Sequence, residues 1–136
     1  MLPKTISYSS KTKEIRITVQ PVYLEDQSKP IENRYVWAYI VNVSNESKKT
    51  VQLLNRHWNI IDAHGQTQEI RGPGVVGEQP IIGPGDCFEY TSGTNLNTPY
   101  GFMRGDYEME TEDGELFLVG IPAFSLDSPH QKHTLN

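Results

Sequence analysis

The sequence predicts an all-β protein in which short antiparallel strands build a sandwich or a barrel. Apolar and polar residues alternate with a period of two in several segments, as they do in strands that bury one face. The 11 Gly and 9 Pro residues are spread along the chain and separate these segments by turns. No window of about 12 residues carries the apolar stripe of an amphipathic helix. Repeated short strands with turns between them favour these two antiparallel architectures.

About seven strands are expected from the alternation. They are predicted at residues 14–24, 34–43, 51–61, 66–71, 87–91, 101–109 and 116–126. Residues 34–43 are apolar on both faces, which predicts a central strand that is covered on both sides. In the third strand we expect Trp58 and Ile60 to point inward. Asp113-Gly114 predicts a hairpin turn between the last two strands.

The chain of 136 residues has the length of one domain. We expect this domain at residues 14–126, between an N-terminal arm (residues 1–13) and a tail (residues 127–136) that are both polar and poorly ordered. The 12 Lys and Arg residues against 17 Asp and Glu residues give a net charge of −5. A chain with this charge has little long-range attraction for nucleic acid or an anionic membrane, so neither is expected as a partner.

Cys87 is the only cysteine, which excludes an intrachain disulfide and a CxxC redox pair. Its position in a predicted strand indicates a buried, inert thiol. A single cysteine fits a reducing compartment. No segment has the apolar length of a signal peptide or a membrane span. We therefore expect a soluble, cytoplasmic protein.

Gly72, Gly74 and Gly77 spell a GxGxxG motif. In a dinucleotide-binding fold this motif opens a helix, but Pro80 and Pro84 follow here and no βαβ unit surrounds it. Two interpretations remain, a tight connection between strands and a small anion-binding concavity formed by backbone amides. The candidate anion site consists of Arg56, His57, Arg71, Gly72, Gly74, Val75, Val76 and Gly77, with Arg104 as a further counter-charge.

Other polar residues could carry chemistry, and each also has a plainer interpretation. His57 is a metal ligand, phosphate contact or general base, or else a partly exposed strand residue. His130 and His133 could hold a metal loosely. Five carboxylates cluster near the predicted Asp113-Gly114 turn: Asp106, Glu108, Glu110, Glu112 and Asp113. They could bind a hard cation such as Mg²⁺ or Ca²⁺, or they form the solvated tip of a hairpin. The metal ligands are therefore unassigned. The absence of GxSxG, HExxH and Walker motifs predicts that the protein is not an enzyme.

Four segments together resemble the bacterial ApaG family. They are RHW at residues 56–58, GVVGEQP at 74–80, YTSG at 90–93 and TPYG at 98–101. The likeness extends over residues 15–126, and the departures are the N-terminal dozen and the tail after Asp127. The resemblance implies a β-sandwich of the fibronectin-III or immunoglobulin type.

The resemblance also implies several functions. The same domain is similar to an appended module that serves protein contact in an F-box protein and in a polymerase-delta-interacting protein. In bacteria the family is linked to cobalt resistance, to magnesium efflux and, by gene neighbourhood, to a diadenosine tetraphosphate hydrolase. Its glycine motif has been proposed to hold pyrophosphate or a nucleotide, although Pro73 removes one amide donor here.

Three functional hypotheses follow. The first is a non-enzymatic binding module without a cofactor, which offers loops and sheet edges to a protein partner. The second is recognition of phosphate or pyrophosphate at residues 72–77. The third is a divalent-cation sensor. Edge strands of a small sandwich can also pair across a two-fold axis, so a homodimer is a further alternative.

Overall fold

The computed structural model describes residues 6–130, and within them nine strands and two short 3₁₀ helices follow one another. The strands are β1 (Tyr8–Thr12), β2 (Ile15–Tyr23), β3 (Tyr35–Asn45), β4 (Val51–Asp62), β5 (Thr67–Pro73), β6 (Ile81–Ile82), β7 (Cys87–Leu96), β8 (Tyr100–Thr111) and β9 (Leu116–Asp127). The 3₁₀ helices, Glu25–Gln27 and Pro30–Glu32, lie in the connection between β2 and β3. Neither of these single turns has the length and apolar character of a membrane span.

The strands form two antiparallel sheets. The first sheet has the order β1-β2-β3-β7, and the second has the order β5-β4-β8-β9, with β6 pairing to β4 beside β5. The predicted all-β sandwich is therefore confirmed, with nine strands in the described residues instead of about seven. The two strands that the alternation did not indicate are β1 and the two-residue β6.

The central position predicted for β3 is confirmed, because β3 lies between β2 and β7. The expectation that both of its faces are covered is wrong. The buried face carries Tyr35, Trp37, Tyr39, Val41 and Val43, whereas Val36, Ala38 and Ile40 on the other face are only half-buried. A two-layer sandwich buries one face of each sheet, so residues on the outer face need not be covered.

Aromatic rings fill the centre of the core between the sheets. Trp58 of β4 lies 5.4 Å from Tyr39, 6.0 Å from Phe124 and 6.4 Å from Tyr107, measured between ring centroids. Trp58 and Ile60 both point inward, as predicted. These edge-to-face ring contacts connect β3 of the first sheet with β4, β8 and β9 of the second.

The predicted disordered arm differs from the structure. Residues Tyr8–Thr12 form β1, which pairs with the first half of β2. The turn between them consists of Lys13 and Glu14, which both have positive φ values of 47° and 64°. This geometry is usually supplied by Asn-Gly or Asp-Gly, and its absence from the sequence hid the hairpin.

The predicted tail also differs in its first residues. Ser128 is buried, and the His130 imidazole Nε2 lies 3.0 Å from Glu25 Oε1 with its ring against Tyr23. These contacts fix the segment that follows β9 on the 3₁₀ connection. Residues 131–136 lie outside the described residues, and so does His133 of the predicted metal pair.

The two open sides of the sandwich are unlike each other. On one side β1 meets β9, where Ser10 Oγ donates to the Gly120 carbonyl at 3.1 Å and Gly120 N–H donates to Thr12 Oγ1 at 3.4 Å. On the other side β7 and β5 are the last strands of their sheets. The segment that carries the GxGxxG motif leaves the sandwich from this second side.

Candidate functional site

The glycine loop (residues 72–80) connects two strands that pair with the same edge of β4. β5 pairs with residues 55–61 of β4, and β6 pairs with Val51 and Gln52. The register between β4 and β8 shifts between Leu53 and Asn55, so β4 carries a bulge opposite the loop. The chain between β5 and β6 therefore projects as a separate hairpin over this bulge.

Backbone hydrogen bonds close the glycine loop into a tight turn. Val75 N–H donates to the Glu78 carbonyl at 2.8 Å, and Glu78 N–H donates to the Val75 carbonyl at 2.9 Å. Val76 and Gly77 between them have φ values of 44° and 82°, the pattern of a type I′ turn. The interpretation of the motif as a tight connection matches this geometry.

The three glycines of the motif have different surroundings. A Cβ at Gly74 would lie 2.1 Å from the Glu78 carbonyl oxygen, so only glycine permits the turn to close. A Cβ at Gly72 would lie 2.9 Å from the Arg56 guanidinium. Gly77 has open space around it and supplies the positive φ of the turn.

Arg56 braces the glycine loop from below. Its Nη1 donates to the Pro73 carbonyl at 2.9 Å and to the Gly74 carbonyl at 3.1 Å. Arg56 follows the bulge and lies two residues before Trp58, so the two side chains share the face towards the core. Arg56 is half-buried, and its guanidinium joins the loop to the edge of the core.

Three buried tyrosines lie within electrostatic reach of Arg56. The hydroxyls of Tyr90 and Tyr107 contact each other across the two sheets. Burial raises the pKa of both phenols and that of Tyr39, and the positive charge of Arg56 opposes the rise only in part. The tyrosines therefore stay protonated at neutral pH and act as hydrogen-bonding groups inside the core.

His57 points to the opposite, outer face of the second sheet. Its ring lies between two carboxylates on the neighbouring strands, with Nε2 3.5 Å from Glu69 Oε2 and Nδ1 3.6 Å from Asp106 Oδ2. The side chain is 20% exposed. Arg71 Nε lies 3.0 Å from Glu69 Oε1, and Arg71 first and His57 second lower the pKa of the Glu69 carboxyl.

The structure brings part of the predicted anion site together: Arg56, His57, Arg71 and Gly72 line one groove at the base of the loop, whereas the other four residues do not line it. Arg56 lies beneath the loop, Val75 is buried in the core, and His57 and Arg71 face outward. The amides of Gly74, Val75 and Glu78 already donate to backbone carbonyls. Arg104 lies on β8 opposite Asn59 and exposed. Anion binding at this loop stays a prediction, and the geometry gives it few free donors.

A groove of about 400 Å³ opens on the outer face beside the base of the loop. The residues that line it are Asn55, Arg56, His57, Arg71, Gly72, Pro73, Asp106, Glu108 and Leu118. Asn55 Nδ2 donates to Glu108 Oε1 at 2.7 Å across β4 and β8. Leu118, which is 61% exposed, forms the apolar wall. Leu118 was not predicted as a site residue, although the alternation in β9 places it on the face away from the buried Val119.

Two apolar side chains of the β5–β6 connection are exposed. Val76 at the tip is 54% exposed and Ile81 at the end of the connection is 70% exposed. Four non-glycine residues of the described chain have positive φ, and Val76 is the β-branched one among them. A β-branched residue in this region is strained, because its Cβ substituents crowd the backbone.

The predicted acidic cluster is divided among several partners. Asp113 Oδ2 lies 2.6 Å from Lys49 Nζ, and Glu112 Oε1 accepts the Thr50 N–H at 2.9 Å. Asp106 and Glu108 face His57 and Asn55 as described above. In residues 6–130 no three His, Cys, Asp or Glu side chains are grouped in a way that could hold a metal ion.

The expectation of a buried thiol at Cys87 is wrong. The thiol is exposed and not buried. Cys87 is the first residue of β7, and its side chain lies on the outer face of the first sheet, which no other layer formed by residues 6–130 covers.

These features define a two-sheet β-sandwich with a braced glycine loop. The family model described as the ApaG domain matches residues 25–111, and the chain belongs to the ApaG family. Protein ApaG of Paramagnetospirillum magneticum is 61% identical over 129 residues, which is 95% of this chain and 99% of that protein. Protein ApaG of Rhodospirillum centenum is 60% identical over the same coverage.

Solved structures share the fold. The crystal structure of an ApaA protein from Bordetella pertussis is similar with a TM-score of 0.83 and 44% identity, and the match covers 86% of this chain and 95% of that one. A second X-ray structure, a structural genomics target, has a TM-score of 0.81 and 42% identity over 90% of this chain and 96% of its own.

Proposed function

We propose that the protein is a non-enzymatic binding module of the ApaG type, which presents the glycine loop to a protein partner. The observation that carries this proposal is Val76. An apolar, β-branched side chain stands exposed at the tip of a tight turn, on a backbone that costs about 1–3 kcal/mol to maintain. Such strain is found at ligand-binding and active sites more often than elsewhere.

The rigidity of the loop supports the same function. Arg56 fixes the Pro73 and Gly74 carbonyls, Val75 anchors the loop in the core, and Gln79 Nε2 donates to the Leu54 carbonyl at 2.9 Å. A preorganised loop loses little conformational entropy when it binds. Val76 is thus held in place for contact with a concave apolar surface.

The groove at the base of the loop extends the proposed surface. It combines the apolar Leu118 with the polar His57 and Asp106. Interfaces commonly join an apolar anchor with polar groups at its rim. A partner that binds the Val76 side chain would also contact this polar rim, where its hydrogen-bond donors would bond to the carboxylates of the groove.

The test separates the side chain of Val76 from its backbone. Val76→Asn changes Val76-Gly77 to Asn-Gly, which favours the same type I′ turn, while it removes the apolar contact. Immobilised wild-type chain is used to capture a partner, which mass spectrometry identifies, and the affinity of that partner is measured for both proteins. We expect binding to weaken at least tenfold in Val76→Asn.

The matched control is Ile31→Asn, which removes an apolar side chain that is 96% exposed in the β2–β3 connection. This variant should bind the captured partner with wild-type affinity. Equal binding by wild type and Val76→Asn, or equal losses in both variants, would rule out the glycine loop as the contact surface.

Recognition of phosphate or pyrophosphate is a second proposal for the same loop. It has less support, because Arg56 is engaged with carbonyls and Arg71 with Glu69. Titration with pyrophosphate, followed by amide NMR shifts, is the direct test. Saturable shifts at Val76 and Gly77 would favour the anion, and amides that do not move up to millimolar pyrophosphate would reject it.

A divalent-cation sensor also remains a proposal, motivated by the cobalt and magnesium links that the resemblance implies. The division of the carboxylates among Lys49, Thr50, Asn55 and His57 gives it little support. Calorimetry with Co²⁺ and Mg²⁺ at physiological salt tests it. Heat that saturates at one ion per chain would favour the sensor, and the absence of such heat would reject it.

A further inference from the structure

We propose that β7 pairs with β7 of a second copy of the chain about a two-fold axis at Ser92, so that the two four-stranded sheets become one eight-stranded sheet. This surface is separate from the glycine loop. It would make the protein a reversible homodimer that presents two glycine loops.

The hydrogen bonds at the start of β7 show which of its residues face outward. Asn45 N–H donates to the Asp86 carbonyl at 2.9 Å, and Gly85 N–H donates to the Asn45 carbonyl at 2.8 Å. Hydrogen-bonded positions alternate along an antiparallel pair, so the even-numbered residues of β7 bond to β3. The N–H and C=O groups of the odd-numbered residues therefore point away from the sheet; these residues are Cys87, Glu89, Thr91, Gly93 and Asn95.

The β7 edge lacks the features that usually prevent strand pairing. It is ten residues long, its pairing with β3 runs without a register shift, and its sequence CFEYTSGTNL holds no Pro, Lys or Arg. Its one charged residue, Glu89, accepts a hydrogen bond from Asn42 at 3.4 Å. Natural sandwiches blunt such edges with charges, prolines or bulges, because an unprotected edge binds another strand.

The other edges of the two sheets are protected by comparison. β1 carries Lys11 and lies against β9 at Gly120. β5 ends at Pro73 and carries the ion pair between Arg71 and Glu69. The contrast singles out β7 as the edge that is left for a second chain.

The sequence of β7 suits a second copy of itself. Outward-facing residues must oppose outward-facing residues, so a two-fold axis can pass through Ser92 or Thr91 but not between them. An axis at Ser92 sets Phe88 opposite the partner's Leu96 and Glu89 opposite the partner's Asn95. Like charges are not opposed, and the half-buried Phe88 gains an apolar neighbour. An axis at Thr91 would set Phe88 opposite the partner's Thr94, a poorer match.

The strength of this pairing is modest. The Ser92 register forms about eight backbone hydrogen bonds between the copies. A contact made by one strand from each copy is at the small end of specific interfaces. We therefore expect a mass that rises with concentration from 15.4 kDa towards about twice that value.

Sedimentation equilibrium of the full chain between about 1 µM and 1 mM tests the proposal. Thr91→Pro removes an outward N–H that β3 does not use, and it should be monomeric over the whole range. Ser9→Pro places the same residue at an outward position of β1 and should dimerise like the wild type. Circular dichroism checks that both variants keep the wild-type fold. A wild-type chain that stays monomeric, or a folded Thr91→Pro variant that still dimerises, overturns the proposal.

A charge pair tests the register. Asn95→Glu sets like charges opposite the partner's Glu89 at two places in the dimer, and dissociation should become at least tenfold easier. Asn95→Lys sets opposite charges there, and the dimer should become several-fold tighter at low salt. Equal dimer strength in both variants contradicts the Ser92 axis. If the β7 amides become protected only when another protein supplies a strand, the edge serves a different partner and the homodimer is wrong.

Discussion

At the scale of single residues, the two glycines and the valine of the turn have different roles in the loop. Gly74 permits the close approach of the Glu78 carbonyl and Gly77 supplies a positive φ, so both are needed for the turn to close. The turn does not need a valine at position 76 to close, and the positive φ there is unfavourable for a β-branched residue. A residue that costs stability and contributes an exposed apolar surface is better explained by binding than by folding.

The stability of the Val76→Asn variant should rise. Asn tolerates the left-handed region, and Asn-Gly is a preferred type I′ pair, so we expect the free energy of unfolding to increase by about 1 kcal/mol. Urea denaturation followed by circular dichroism measures the change. The control Ile31→Asn should change the free energy by less than about 0.5 kcal/mol, because the Ile31 side chain is 96% exposed. A stability loss in Val76→Asn would mean that the valine side chain packs in a way that outweighs the strain.

Residue identity alone could not have placed the charged groups of the site. Period-two alternation correctly assigned Trp58 to the core and His57 to the other face. The same alternation places Arg56, two residues before Trp58, on the core face, but it does not show which groups the guanidinium contacts. Arg56 therefore looked like a counter-charge for an anion, whereas the structure uses it to bond to backbone carbonyls.

At the scale of elements, the glycine loop and the bulge in β4 act as one unit. Arg56 follows the bulge on the face towards the core and holds two loop carbonyls, and the loop in turn covers the bulge through Gly74 and Leu54. The stability of the loop therefore depends on a residue in a different strand. Long strands such as β3 and β8 were predictable because their alternation is continuous. The two-residue β6 was not, because such a short pairing has no pattern of its own.

Replacement of Arg56 should loosen the loop. Arg56→Ala removes two charge-assisted hydrogen bonds and leaves two carbonyls without their donor, so we expect the free energy of unfolding to fall by about 2 kcal/mol. Hydrogen exchange of the amides in residues 74–78 should accelerate more than exchange in β3. Arg56→Lys keeps one donor group and the charge, so its stability and its loop exchange should lie between those of the wild type and those of Arg56→Ala.

The matched control for this change is Arg71→Ala. Arg71 faces the solvent and pairs with the exposed Glu69, so its loss should cost no more than about 0.5 kcal/mol. Loop exchange should stay at the wild-type rate in this variant. A loss as large as that of Arg56→Ala would show that the outer ion pair, and not the inner brace, stabilises the loop.

At the scale of the whole molecule, the core joins the two sheets partly through polar atoms. The contact between the hydroxyls of Tyr90 in the first sheet and Tyr107 in the second lies beside the aromatic cluster around Trp58. Hydrogen bonds in this interior require that the phenols keep their protons, since a buried phenolate would lose its solvation. The stability of the sandwich should therefore decrease when alkaline pH removes these protons.

We expect the stability of the protein to fall as the pH rises above about 10. An unfolded tyrosine ionises near pH 10. Burial raises the pKa of Tyr90 and Tyr107 above that value in the folded protein, so the unfolded chain releases protons first and is favoured by further increase in pH. The stabilisation that these two tyrosines contribute is fully present below pH 10. Above pH 10, each tyrosine lowers the free energy of unfolding by up to about 1.4 kcal/mol per pH unit until its folded form ionises. Urea midpoints measured from pH 8 to pH 11.5 follow this loss.

Two variants identify the groups that cause the alkaline loss. Replacing both Tyr90 and Tyr107 by Phe removes the buried phenols, so the slope of stability against pH above 10 should become shallower, even if the absolute stability changes. Tyr100→Phe removes a phenol that is 45% exposed and should leave the slope as it is in the wild type. A double variant that keeps the full wild-type slope would place the alkaline transition in lysines or other tyrosines. The hydroxyl contact between the sheets would then have no part in the pH dependence of the fold.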